Sequence, residues 1–328
     1  MEQSTNAVYE DIKNTIQDKL GYNIISNSQI NRGWLNLKWK INTDSGTKLI
    51  KQYNQTRYPP PKIKQIETAL QRQSILYEKG VNCPRIYWFE DSPIIKSYNG
   101  ENFCVLDFYE GDVVNPNNIN SDQMYDLGKG IALLHNVSNK SFGANAVVKW
   151  QPSFEQMTEN WLKISEKASK SNLHELLILL QKQKSIIESI DFSYFNYCRL
   201  NWVHADLWAD NILFTSNKLS CIVDFDRNCY GFAELDIGRV LLSLALNDDN
   251  LNINVVSAFL KGYQELYPLK GSDVLRALKL TWCHETFWWI NSDMYAHKDS
   301  SPVQKFASEM IWLTNNWTAL NELLAIPD

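Results

Sequence analysis

The chain lacks any apolar run approaching the roughly 20 residues that a membrane span requires. Its most apolar stretches, around Val240 to Leu246 and Leu176 to Leu180, are far shorter. The opening Met1-Glu2-Gln3-Ser4-Thr5-Asn6 is polar, so no secretory leader is expected. No block of Lys and Arg stands out, which leaves no signature of nucleic-acid binding. Six cysteines occupy positions 83, 104, 198, 221, 229 and 283 without a C-x-x-C pair. They read as reduced core thiols, and a structural zinc site is not expected without clustered Cys or His. Internal repeats and low-complexity tracts are also missing. These absences point to a soluble, cytoplasmic protein with no membrane or nucleic-acid partner. They leave its oligomeric state open.

What is present is enough for a sizeable core. The 328 residues are 44% hydrophobic and include 12 Trp, with a formal net charge of -5. Val8, Ile12, Ile16 and Leu20 share one helical face, ended by Gly21. Leu35, Leu37, Trp39 and Ile41 alternate like a half-buried strand, Thr43-Asp44-Ser45-Gly46 is a turn, and residues 48–53 return. Pro59-Pro60-Pro61 opens a helix over about 62–79 that ends at Gly80. Residues 83–89 and 103–109 read as further strands. After Glu110-Gly111-Asp112 the pattern is helical at 121–138, 153–169, 172–190, 234–247, 252–266, 271–292 and 302–325, around one β island at about 211–226. The expected class is α+β and bilobal, with a small antiparallel β lobe over 1–109 and a larger helical lobe over 110–328.

The segment carrying chemistry is Val203-His204-Ala205-Asp206-Leu207-Trp208-Ala209-Asp210-Asn211-Ile212-Leu213-Phe214, followed by Cys221-Ile222-Val223-Asp224-Phe225-Asp226. An acid and an amide five residues apart close a loop, and a hairpin returns a second acid. Phosphoryl transfer needs such a set: a carboxylate to orient the acceptor hydroxyl and take its proton, and hard oxygen ligands for magnesium. Asx residues also close loops on their own backbone, but that reading leaves Asp224 unexplained.

This stretch resembles the H-x-D-x-x-x-x-N loop and following D-F-x element of the aminoglycoside phosphotransferase-like kinases. That superfamily takes in choline and ethanolamine kinases, homoserine kinases of the same fold, and spore-coat and stress-response branches. Residues 233–239 (Ala-Glu-Leu-Asp-Ile-Gly-Arg), the helix ending in Leu134-His135, and Phe259-Leu260-Lys261-Gly262-Tyr263 are similar to further elements of the superfamily. The resemblance implies a protein-kinase-like fold using ATP and magnesium. Asp206 takes the catalytic-base position, and Asn211 and Asp224 the metal positions. Asp226 either faces the acceptor or orients its neighbours. His204 reads as a loop anchor, His135 as core, and Asp236 as a cap tying its helix to the catalytic loop.

In the small lobe, Lys51 fits the strand lysine that reaches the phosphates, and Lys48, an odd number of residues away, faces the other side. Relatives carry a helix Glu near the position of Gln71. Glu67, one turn earlier on the same face, is the available substitute. The turn around Gly33 is the expected phosphate flap. The segment from Cys104 to Gly111 resembles the hinge, where backbone groups of Asp107 and Tyr109 would bind the adenine edge. Asp210 precedes Asn211 where many relatives have Gly, an extra acid suited to a second cation or a cationic acceptor. Trp282, Glu285 and Trp289 share a helical face, and aromatic faces beside carboxylates favour cations. The expected function is transfer of the ATP γ-phosphate to a hydroxyl of an amine-containing small molecule: an aminoglycoside, an amino alcohol or a hydroxy amino acid. The alternative is a non-catalytic, kinase-like structural or binding protein of spore-coat type, favoured by the missing acid at Gln71.

Overall fold

The computed structural model describes residues 2–30, 36–144, 146–296 and 301–324. The chain divides into two compact units. The first comprises residues 1–112 and 220–228, and the second 113–219 and 229–328. The first unit therefore takes in the segment carrying Asp224 and Asp226, which the linear reading left with the helical lobe.

The first unit holds α1 (Glu2–Leu20), β1 (Ile24–Gln29), β2 (Lys38–Thr43), β3 (Gly46–Tyr53), α2 (Pro60–Glu78), β4 (Ile86–Tyr87), β5 (Ile95–Lys96) and β6 (Asn102–Asp107). The strands pair antiparallel in the order β1-β2-β3-β6-β4, with β5 also on β6. Side chains alternate across the sheet, and both faces are covered. On one face Tyr9, Ile12 and Ile16 of α1 pack on Trp39, Ile41, Ile50, Phe103 and Val105. On the other, Ile66 and Leu70 of α2 pack on Tyr53, Cys104, Leu106 and Ile86. This double burial explains why β6 reads as one apolar run, Phe103 to Leu106. Lys51 lies on the α2 face and Lys48 on the α1 face.

The second unit contains α3 (Ser121–Phe142), α4 (Phe154–Lys170), α5 (His174–Ser189), β7 (Leu200–Val203) and β8 (Ile212–Thr215). The unit boundary falls inside β9 (Lys218–Ile222). Then come β10 (Cys229–Phe232), α6 (Ala233–Ala245), the small pair β11 (Leu246–Asn247) and β12 (Asn250–Leu251), and α7 (Ile253–Gln264). The chain ends through α8 (Gly271–Trp289), α9 (Ser292–Ala296), α10 (Ser301–Asn316) and α11 (Leu320–Leu323). β7 pairs with β10, and α6, buried along nearly its whole length, follows directly. No helix among the described residues is long and apolar enough to cross a membrane. The six cysteines are free thiols, four of them buried.

α3 and α7 meet through glycines. A Cβ on Gly262 would lie 1.9 Å from the Tyr125 carbonyl oxygen, and one on Gly128 2.2 Å from that of Phe259. This close approach is the physical content of the F-x-x-G-Y element. Gly262→Ala must push the helices apart and is expected to cost about 1–3 kcal/mol of stability. Urea denaturation would show it as a lower midpoint at an unchanged slope.

Candidate active site

In the first unit the sequence after β9 turns sharply. Asp224 has left-handed backbone angles (φ 69°, ψ 57°), a strained choice for a non-glycine residue of the kind that gathers at functional sites. The turn is anchored on both sides: Ile222 N–H donates to Asn82 O (2.8 Å), Phe225 is fully buried, and Arg72 of α2 reaches the Asn228 carbonyl (3.4 Å).

Lys51 Nζ donates to Asp224 Oδ1 and to Asp226 Oδ2, each at 2.7 Å. Burial alone would strip its proton, but the two carboxylates outweigh burial and hold the amine above the ordinary lysine range. Tyr53 OH donates to Asp226 Oδ1 (3.0 Å), and burial keeps that phenol protonated and able to donate. Both Asp226 oxygens are thus engaged inside the unit. Lys38 completes the cluster, its Nζ 3.9 Å from Asp224 Oδ2. Burial and the neighbouring Lys51 charge lower its pKa.

The expected Lys51–Glu67 pair is not formed. Glu67 accepts from Lys64 Nζ and from Ser92 Oγ, both at 2.8 Å. The reason lies in the helix stripe. α2 buries Ile66, Ala69, Leu70, Gln73 and Leu76, which leaves Glu67 at the margin beside Lys64 and the β4–β5 connection. The polar group buried on that stripe is Gln73, whose Nε2 donates to Pro84 O (2.7 Å).

On the opposite sheet face, Lys48 donates to Asp107 Oδ1 (2.7 Å) and to Tyr87 OH (2.6 Å), and Tyr87 OH donates to the same Asp107 oxygen (2.8 Å). Asp107 N–H donates to Arg85 O and Phe108 N–H to Thr47 O. A base at this edge would therefore meet the Asp107 carbonyl rather than its N–H. Tyr109 is half-buried, and burial pushes its phenol up to about 12. Gly33 lies outside the described residues.

The second unit carries the loop between β7 and β8 that bears Asp206 and Asn211. Asp236, in the first turn of α6, accepts from His204 N–H (2.8 Å) and Ala205 N–H (2.9 Å). His135 Nε2 stands 3.1 Å from Asp236 Oδ2, and its Nδ1 is 2.7 Å from Tyr263 OH. One consistent arrangement has the tyrosine donating to Nδ1 and Nε2–H donating to the carboxylate. Asp236 thus ties α6 to the loop, and His135 is core, as the sequence implied. Ala205 adopts φ 62°, a left-handed backbone that a non-glycine residue rarely takes. Beyond it Asp206 is half-exposed, with Leu207 and Ala209 buried on either side of Trp208. Asn211 Nδ2 donates to the Asp206 carbonyl (2.8 Å) and lies 3.4 Å from its Oδ2. Ala209 N–H donates to Ser243 Oγ of α6 (2.8 Å).

Next to this loop an aromatic row runs from Trp208 to Phe306 (centroids 5.3 Å) and on to Trp289, stacked at 4.5 Å. Trp289 Nε1 donates to Glu285 Oε2 (3.1 Å). Arg239 Nη1 donates to the same oxygen (2.6 Å), while its Nη2 donates to Glu309. Trp282 does not belong with them. It is fully buried, donates to Thr314 Oγ1 (2.9 Å) and packs on Trp317. Residues 282, 285 and 289 do share a helical face. However, α10 covers α8 at the level of Trp282, and face periodicity carries no information about depth along the axis. Asp210 is partly exposed, and Lys305 feels its charge.

Sequence reasoning missed Lys38, Tyr53, Trp208, Arg239 and Phe306. Lys38 was within reach: the Thr43–Gly46 turn pairs Thr43 with Gly46, so counting back along the hairpin puts Lys38 opposite Lys51.

A model of the phosphotransferase enzyme family (APH) matches residues 26–278, well over half of the sequence. The chain belongs to that family. It is a small-molecule kinase acting on hydroxyl groups. Among curated relatives, a homoserine kinase of Rhodopseudomonas palustris (strain BisA53) is 25% identical over 276 residues, 81% of this chain and 80% of the relative. A homoserine kinase of Mesorhizobium japonicum is 24% identical over 76% and 74% of the two chains. Solved structures share the fold. A choline kinase from Cryptosporidium parvum superposes with TM-score 0.62 at 13% identity over 97% and 98% of the chains. An amicoumacin kinase in complex with AMP-PNP, Ca2+ and Ami gives 0.61 at 15% over 97% of each. This APH-family chain is therefore α+β with a protein-kinase-like fold.

Proposed function

We propose that the chain transfers the γ-phosphate of ATP to a hydroxyl of a small amine-containing molecule, with hydroxy amino acids first among the candidates. The observation that carries this reading is the Asp206–Asn211 pair on a loop pinned by Asp236, in a chain of the APH family. Asp206 is half-exposed, on a backbone that cannot drift, and is suited to orient an acceptor hydroxyl and take its proton. Asn211 commits its amide N–H to Asp206, so the oxygen of the same amide is the atom that can serve as a hard ligand. Asp224 already stands against a cation, the Lys51 ammonium. Each side chain offers the kind of hard oxygen that suits magnesium, a small cation that takes one or two protein oxygens and fills its remaining positions with phosphate and water. Magnesium in this role neutralises charge developing on the transferred group.

Lys51 holds phosphate oxygens, with Asp226 in the place of a helix glutamate. This answers the argument for a non-catalytic protein drawn from Gln71. The backbone at Asp107 and Tyr109 receives the base. Asp210 receives the acceptor amine, beside the wall of Trp208, Phe306 and Trp289. Glu285, whose charge Arg239 already balances, supports that wall. Similarity to homoserine kinases supports a hydroxy amino acid ahead of aminoglycosides and amino alcohols.

The deciding experiment is a magnesium-ATP turnover screen over homoserine, choline, ethanolamine, aminoglycosides and sugars, with Asp206→Ala as control. Turnover of one amine-bearing alcohol that the control lacks supports the assignment. Equal turnover by the control removes Asp206 from its role.

A further inference from the structure

Lys38 and Lys51 face each other directly across the β2–β3 hairpin. Like charges placed opposite one another weaken a sheet, and two amines drawn inward do so more. Both are drawn inward here: their side chains are 21% and 6% exposed. A surface pair would splay into water. This pair instead converges on one carboxylate, Lys51 on Asp224 Oδ1 at 2.7 Å and Lys38 on Oδ2 at 3.9 Å.

The two lysines are not equally provided for. Lys51 has Asp226 as a second partner at 2.7 Å, itself fixed by Tyr53. The ion pair of Lys38 among the described residues is with Asp224 alone, at a distance too long for a hydrogen bond. Lys38 is thus a cation held in place with less counter-charge than it can use. The site needs an anion with several negative oxygens, and more so once the Asp224 oxygens are turned to another cation.

We propose that Lys38 is a second phosphate-binding residue, forming with Lys51 a two-amine grip from adjacent strands on the polyphosphate of the nucleotide. The inference rests on the reading of the chain as an ATP-dependent kinase and adds a residue to it. Asp226 stays with Lys51 and sets its direction. Asp224 is the shared counter-ion that both amines exchange for phosphate oxygens. Lysine suits this role as a compact charge on a flexible stem, able to follow a phosphate without a fixed hydrogen-bond plane.

The test compares binding of adenosine, AMP, ADP and ATP, the last two with magnesium, to wild type, Lys38→Gln and Lys38→Arg by titration calorimetry. Lys38→Gln is expected to weaken ATP and ADP about tenfold or more, the worth of one charged hydrogen bond. Adenosine affinity should be unchanged, and this also reports that the variant is folded. Lys38→Arg should retain most of the ATP affinity. An ATP-to-adenosine affinity ratio equal in wild type and Lys38→Gln overturns the grip. Absence of adenine-nucleotide binding by wild type overturns the use of ATP itself, and the grip with it, so the two failures are distinguishable.

Discussion

Asp206→Asn is expected to lower kcat by about a hundred- to ten-thousand-fold with the acceptor that the turnover screen identifies. KM for ATP should stay close to its wild-type value, because Asp206 is assigned to the hydroxyl and not to the phosphates. The substitution keeps the size of the side chain and the backbone of its loop. The Asn211 Nδ2 bond to the Asp206 carbonyl, at 2.8 Å, does not involve the carboxylate. The two N–H groups held by Asp236 belong to His204 and Ala205 and are likewise untouched. A thermal midpoint recorded for the same variant separates a chemical loss from a folding defect. Steady-state kinetics beside a melting curve checks both. A kcat within threefold of wild type would leave Asp206 as a loop-closing residue only.

Much of this site was legible because its residues act through short-range spacing. The acid–amide pair at 206 and 211 and the tie from Asp236 need only a loop, a strand and the first turn of α6. The motif carries all three. α1 and α2 were legible because each buries one stripe against a sheet face. β1 was not: Ile24–Gln29 is an edge strand exposed along nearly its whole length, so no alternation marks it. β7 and β10 were missed because four residues are too few for a period, and the strands that pair lie on opposite sides of the loop bearing Asp206 in sequence. The Lys51 partner was misjudged for a different reason. A search along α2 for an acid presumes that the partner comes from the helix, whereas Asp224 and Asp226 come from a segment about 170 residues away in sequence. Lys38 shows the converse: it was overlooked although hairpin register, counted from the turn, puts it opposite Lys51.

Arg239→Met tests the buried charge beside the aromatic row. Arg239 is 7% exposed and serves Glu285 and Glu309 together, with Phe306 stacked 4.9 Å from its guanidinium. Its removal takes the ion-pair partner from Glu285 and from the buried Glu309, which keeps only the weaker pull of Lys305. Loss of one partner from such a cluster typically costs about 3–5 kcal/mol, most of it the penalty of an uncompensated buried charge. The pH dependence follows from the same cause. Burial already raises the Glu309 pKa above the ordinary glutamate value, and loss of Arg239 raises it further. A folded-state pKa above the unfolded one means that the folded chain binds more protons, so stability falls as pH rises through that window. Melting curves should therefore show a larger defect at pH 8 than at pH 5. Arg239→Met combined with Glu309→Gln should recover part of the loss at pH 8, because the charge that lacks a partner is gone. A defect of equal size at both pH values would mean that Arg239 acts by packing against Phe306, and the charge argument would fail.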